Sequence, residues 1–126
     1  MITEDYISFE TAKLLKEKGF DYPTLHYYYD KDGDLVFSYN IGAGKNEFVA
    51  PTLQMAIKWL REVHHYYIQV MLDSWACGGH MGYYVVIQKT DSDFEMMLQD
   101  ALDEVFYKTY EEACEAAIKY CLENLI

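Results

Sequence analysis

Basic residues are scarce in this chain. Ten lysines and arginines stand against 21 aspartates and glutamates in 126 residues, a formal charge of −11. Nucleic-acid affinity comes largely from Lys and Arg displacing condensed counterions, so a surface of this sign argues against direct binding of DNA or RNA. Proline is almost absent, with Pro23 and Pro51 as its two instances. No Gly/Ser-rich or low-complexity stretch divides the chain either, and a single domain over residues 1–126 is expected. No run approaches the roughly 18 apolar residues needed to cross a bilayer. Glu4 and Asp5 sit where a secretory leader would be basic. Those two observations predict a cytoplasmic protein with no membrane partner. The three cysteines, Cys77, Cys114 and Cys121, are odd in number, and reduced thiols are expected. Neither a Gly-x-Ser-x-Gly nor a His-Glu-x-x-His pattern occurs. The residues therefore assign no catalytic group and no cofactor, and favour a binding protein over an enzyme.

What the chain does have is apolar content, 52% of its residues, enough for one continuous core. Ser8 precedes a run with helical apolar spacing through Phe9, Ala12 and Leu15, and Gly19 follows it. This is the pattern of a capped helix over residues 9–18. Residues 25–40 turn aromatic and β-branched around Asp32-Gly33, the signal of a two-residue hairpin that sets Tyr28 opposite Phe37 and His26 opposite Tyr39. Residues 41–49 read as a loop. Pro51 can then open a second helix, which carries Leu53, Ala56, Ile57 and Leu60 and ends near His64 or His65. Residues 66–72 and 83–88 read as strands. Residues 94–107 fit a helix to about Glu104, while Val105, Phe106 and Tyr107 also suit a strand. Thr109 with Glu112 forms a capping box for a last helix, on which Cys114 and Cys121 share a face as small buried hydrophobes. The fold expected from these segments is α+β: an antiparallel sheet of about four hairpin strands, with three to four helices packed mainly on one face.

Three constellations bear on chemistry. Asp30-Lys31-Asp32-Gly33-Asp34 alternates carboxylates like a calcium loop, but its glycine comes two positions early and Ile41 stands where the closing glutamate is needed. Gly42-Ala43-Gly44-Lys45 is a fragment of a phosphate loop with Asn46 in place of the hydroxyl residue. His64, Cys77 and His80 have ligand-like chemistry. A zinc site or a reactive thiol there would require them to converge, and no second close ligand pair supports them. The alternative for His64 is a helix terminus, where an imidazolium suits the dipole. This loop carries the competing functional reading, a small-molecule or metal-dependent activity.

Charge and aromatic rings carry the leading one. Residues 91–126 contain ten acids against Lys108 and Lys119, a balance of −8, which leaves −3 for the rest. Asp100, Asp103, Glu104, Glu111, Glu112 and Glu115 are the candidate interaction surface for a protein partner. Such carboxylates suit a basic protein and, in one version, imitate nucleic-acid phosphates. Thirteen tyrosines include Tyr27, Tyr28 and Tyr29, the pair Tyr66 and Tyr67, and the pair Tyr83 and Tyr84. Adjacent strand residues face opposite ways, so each cluster sends one ring outward, and a homodimer through these strands is an expected association.

The segment Ile7-Ser8-Phe9-Glu10-Thr11-Ala12-Lys13-Leu14-Leu15-Lys16-Glu17-Lys18-Gly19-Phe20-Asp21, together with Ala50-Pro51-Thr52, Lys58-Trp59-Leu60-Arg61-Glu62 and Thr109-Tyr110-Glu111-Glu112-Ala113, resembles short uncharacterised proteins of phages and prophages in gut bacteria. The resemblance runs in order over most of the chain. It implies a phage-linked setting and brings no binding or catalytic residues with it. The final strand and Thr-Tyr-Glu-Glu-Ala helix also resemble the antitoxin member of small toxin–antitoxin pairs. The functional expectation is an acidic accessory or inhibitor that binds a protein.

Overall fold

The computed structural model describes residues 2–20, 27–37, 47–73, 82–102 and 106–126. Helix α1 (Phe9–Glu17) begins where Ser8 Oγ accepts from the Thr11 amide at 3.3 Å, and it ends before Gly19 at φ +97°. A side-chain oxygen thus satisfies one of the amides that a first turn leaves unpaired. Ala12 and Leu15 turn inward as the spacing predicts, Phe9 is half-buried, and Thr11, outside the expected stripe, is buried with them.

Strand β1 (Tyr27–Tyr29) pairs antiparallel with β2 (Leu35–Phe37). The register places Tyr27 opposite Phe37, Tyr28 opposite Val36 and Tyr29 opposite Leu35, one residue away from the pairing expected of a two-residue loop. The reason lies in the turn. Asp30 Oδ1 accepts from both the Asp32 and the Asp34 amides, at 2.9 and 3.0 Å, and Gly33 adopts φ +85°. The loop is therefore Lys31-Asp32-Gly33, a three-residue connection that needs glycine at its left-handed position. The expected partner pair His26 and Tyr39 lies outside the described residues. The other edge of β1 is filled by β3 (Phe48–Val49), within what the sequence suggested was loop.

Pro51 does not open the second helix. It lies buried just ahead of it, and Thr52 is the cap, accepting from the Met55 amide at 3.2 Å at the start of α2 (Leu53–His64). The chain reverses through His65, a non-glycine residue at φ +65°, into β4 (Tyr66–Asp73), which pairs along its whole length with β5 (Gly82–Lys89). The expected helix over residues 94–104 is replaced by a short strand, β6 (Glu95–Met97), followed by helix α3 (Leu98–Leu102). The strand wins locally because Met96 pairs opposite the fully buried Ile87, a contact invisible to helical periodicity. Gln99 is buried at 6% exposure; its side chain accepts from the Val85 amide at 3.1 Å and donates to the Tyr83 carbonyl at 3.4 Å. Tyr107 then bridges Tyr83 through paired backbone bonds of 2.8 and 2.9 Å. Strand, side-chain amide and single bridge together complete one edge of β5.

Helix α4 (Tyr110–Tyr120) is capped by Thr109, whose hydroxyl accepts from the Glu112 amide at 3.1 Å, and runs into a π-turn (Cys121–Leu125). Ile7, Leu15, Leu60, Ile87, Leu98, Ile118 and Leu122 are large, fully buried side chains of one core. The architecture is α+β, but with two three-stranded antiparallel sheets, ordered β2-β1-β3 and β4-β5-β6, instead of one sheet of about four strands. With β2 and β3 on both edges of β1, the strand that the first hairpin gains is β3, and the edges it leaves open are those of strands only two and three residues long. Packing on a single face is likewise replaced: α1 packs on β3, whereas α2 and α4 pack on β4 and α4 also on β5. No helix among the described residues is long and apolar enough to cross a membrane.

Candidate functional site

Residues 5–7 run antiparallel to residues 51–53. The Ile7 amide donates to the Pro51 carbonyl at 3.0 Å, the Leu53 amide donates to the Asp5 carbonyl at 2.9 Å, and Tyr6 bridges Thr52. This short pairing holds the chain ahead of α1 against the start of α2. Helix α4 crosses nearby, and its first turns carry Glu111, Glu112 and Glu115. Glu115 ties the two regions together: its Oε1 accepts from Thr11 Oγ1 at 2.7 Å and from the Ser8 amide at 3.1 Å. A charged acceptor at the amino end of α1 also suits that helix dipole.

Between these elements lies an open cleft of about 540 Å³. Asp5, Tyr6 and Ser8 form one wall, Leu53 lies at its base, and Tyr107 with Glu111, Glu112, Glu115 and Ala116 forms the other. Lys119 lines one end and is paired with Glu10 at 3.4 Å. The Tyr6 ring packs on Tyr27 with centroids 4.8 Å apart, and burial with Tyr27 and Glu4 nearby pushes its hydroxyl pKa above the ordinary value. Tyr29 donates to the Ile7 carbonyl at 2.6 Å, and burial with Glu115 raises its pKa too. These phenols therefore stay neutral, and the cleft's negative charge belongs to the carboxylates.

Of the acids expected to form an interaction surface, the structure brings Glu111, Glu112 and Glu115 to one cleft. Asp100 is exposed on α3 and does not line it; Asp103 and Glu104 lie outside the described residues. Glu115 is committed to Ser8 and Thr11, which leaves Glu111 and Glu112 on exposed first-turn positions as the acids of α4 that face solvent. Sequence reasoning missed Asp5, Tyr6, Leu53 and Tyr107. The one local signal for them was Thr52 as a helix cap beside Pro51, which would have drawn attention to what pairs with that turn.

Cys77 and His80 lie outside the described residues, so their convergence with His64 does too. His64 ends α2 with its ring edge-on to Trp59, centroids 4.6 Å apart, and its Nε2 is enclosed with no hydrogen-bond partner. Burial, with His65 adjacent, lowers its pKa below the ordinary histidine value, so it is not the dipole-stabilised cation that its position suggested. Among the described residues no group of three or more His, Cys, Asp or Glu side chains is arranged to hold a metal ion. Cys114 and Cys121 are buried free thiols, as expected, with pKa values pushed up by burial to about 11 and about 12.

A cleft lined by apolar and aromatic side chains together with carboxylates favours a long cationic side chain. The alkyl stem of a lysine or arginine packs on rings and methyls while its head meets the carboxylates. Compared with family models, with curated proteins and with solved structures, the chain matches none.

Proposed function

We propose that this protein is a small acidic accessory or inhibitor that binds a protein partner by taking a basic side chain of that partner into the cleft between residues 5–8 and α4. The observation that supports this reading is the coincidence of Asp5, Glu111 and Glu112 with Tyr6, Leu53 and Tyr107 around one concavity of about 540 Å³. An acidic face alone attracts any cation weakly through solvent. A concave site with rings adds desolvation and shape, which convert attraction into selectivity. In a phage-linked, cytoplasmic setting, the partner class that fits is a nucleic-acid enzyme whose cationic groove ordinarily receives phosphates, with these carboxylates standing in for them.

The test compares two variants of equal charge. One is Asp5→Asn with Glu111→Gln and Glu112→Gln; the other is Asp91→Asn with Asp93→Asn and Asp100→Asn. Binding of a fluorescent arginine-containing peptide is followed by anisotropy at physiological salt. The cleft variant should lose about tenfold or more in affinity, the equivalent of about 1.4 kcal/mol, while the distal variant stays near the native value. Equal losses in both would reduce the interaction to bulk charge and end the proposal.

A further inference from the structure

The two edges of the second sheet differ. On one side β5 is closed by β6, by the Gln99 amide and by the Tyr107 bridge. On the other side β4 is the last strand, and among the described residues no strand pairs with it. The remaining edge strands are short: three residues in β2, two in β3, and three in β6, which also carries Glu95. Strand β4 has eight residues in unbroken register with β5, and its residues 66–72 include no charge and no proline. Edges of that kind are normally shortened, charged or bulged, because their free amides and carbonyls template another strand.

The direction of those free groups follows from the bonds of β5. Tyr83, Val85 and Lys89 bond away from β4, to Tyr107, Gln99 and Phe94, while Thr90 donates to the His65 carbonyl. Backbone groups alternate in direction along a strand. Odd-numbered residues of β4 therefore face β5, and Tyr66, Ile68, Val70 and Leu72 present their backbone groups to the open edge.

We propose that this edge pairs with the same edge of a second copy of the chain, antiparallel about a two-fold axis at Gln69, so that two three-stranded sheets become one of six strands. A second copy fits for two reasons. Centring on Gln69 pairs the whole uncharged run with itself: Ile68 meets Val70 and Tyr66 meets Leu72 on the helix-covered face, while Tyr67 meets Met71 on the other. These pairings cover Tyr67, Met71 and Leu72, which stand 42%, 41% and 54% exposed. Charge supplies the second reason. Two chains of −11 repel wherever acids meet, and contact through the charge-free run keeps them apart.

Sedimentation equilibrium over about a hundredfold dilution series tests the proposal, because a dimer in exchange shows a mass that depends on concentration. Three proteins are compared: the native chain, Tyr67→Lys with Met71→Lys, and Tyr67→Lys with Met71→Glu. Both positions are exposed, so the fold should persist, which circular dichroism verifies. The double-lysine variant places like charges opposite each other across the axis and should be monomeric, even though it reduces the chain's net negative charge. The lysine–glutamate variant places opposite charges there and should dimerise as the native chain does. A native chain that is monomeric throughout overturns the proposal and leaves the edge to a strand from another protein. A double-lysine variant that dimerises like the native chain, or a lysine–glutamate variant as monomeric as the double-lysine one, overturns it as well.

Discussion

Replacing Gln99 with methionine isolates the side chain that stands in for a strand. Methionine has a similar length and flexibility, so the cavity term is small, and what is lost is the acceptor for the Val85 amide and the donor to the Tyr83 carbonyl. Tyr83 keeps its bond from the Tyr107 amide at 2.9 Å, so its carbonyl remains satisfied. Val85 is fully buried, and its amide would be orphaned. An unpaired buried donor costs about 1–3 kcal/mol, with the upper part of that range fitting complete burial, and the added apolar surface of methionine offsets under about 1 kcal/mol. A net destabilisation of about 1–2 kcal/mol is expected in urea unfolding followed at 222 nm, with faster hydrogen exchange at the Val85 amide. Gln99→Glu restores the acceptor, and when protonated it also restores the donor. Its deficit relative to the native protein should shrink as pH falls from about 7 to about 5, since a buried carboxyl resists ionisation. A methionine variant within about 0.3 kcal/mol of native stability, with unchanged exchange at Val85, would refute the assignment of this amide as a closing element, that shift lying below the cost of any orphaned amide.

Two further outcomes follow from the packing. The folded-state pKa of His64 is lowered below its unfolded value by burial and by His65. Its contribution is therefore complete above an unfolded pKa near about 6.5 and is lost as pH falls through the folded value. Urea midpoints measured at pH 7.5 and 5.5 should drop more for the native chain than for His64→Phe, and equal drops would remove His64 as the source. Gly33 sits at φ +85°, and a Cβ there would stand 3.0 Å from Phe9 Cδ2. Gly33→Ala should cost about 1–2 kcal/mol in thermal or urea unfolding from the left-handed backbone, and Phe9→Leu should recover part of it by removing the ring. A cost for Gly33→Ala that is unchanged in the Phe9→Leu background would separate backbone strain from the ring contact.

What was legible in the sequence was what neighbouring residues decide. Ser8 and Thr109 cap the helices they were expected to cap, Gly19 ends α1, and the long strand pair around residues 66–89 appears almost to the residue, because capping and alternation act within a few positions. The failures share a cause of the opposite kind. Phe48 and Val49 become a strand only because β1 offers an edge, Glu95–Met97 only because Ile87 lies across from Met96, and the first hairpin shifts by one residue because the Asp30 carboxylate gathers two amides. For the site, the acids of α4 were visible as a cluster, but their wall opposite was not. Asp5 was read only as an acid where a leader would be basic and Tyr6 drew no reading, because nothing local announces that they meet a helix more than a hundred residues later.

That separation bears on when the cleft is completed during synthesis. The bond from Thr11 to Glu115 joins residues 104 positions apart, and the cleft needs both of its walls. A ribosome that has released α1, both hairpins and α2 has therefore made most of the core but only one wall of that cleft. On the function proposed above, any chain interrupted before α4 is exposed would lack the second wall and be inert toward a partner, so a nascent or prematurely terminated product would not compete with the finished one.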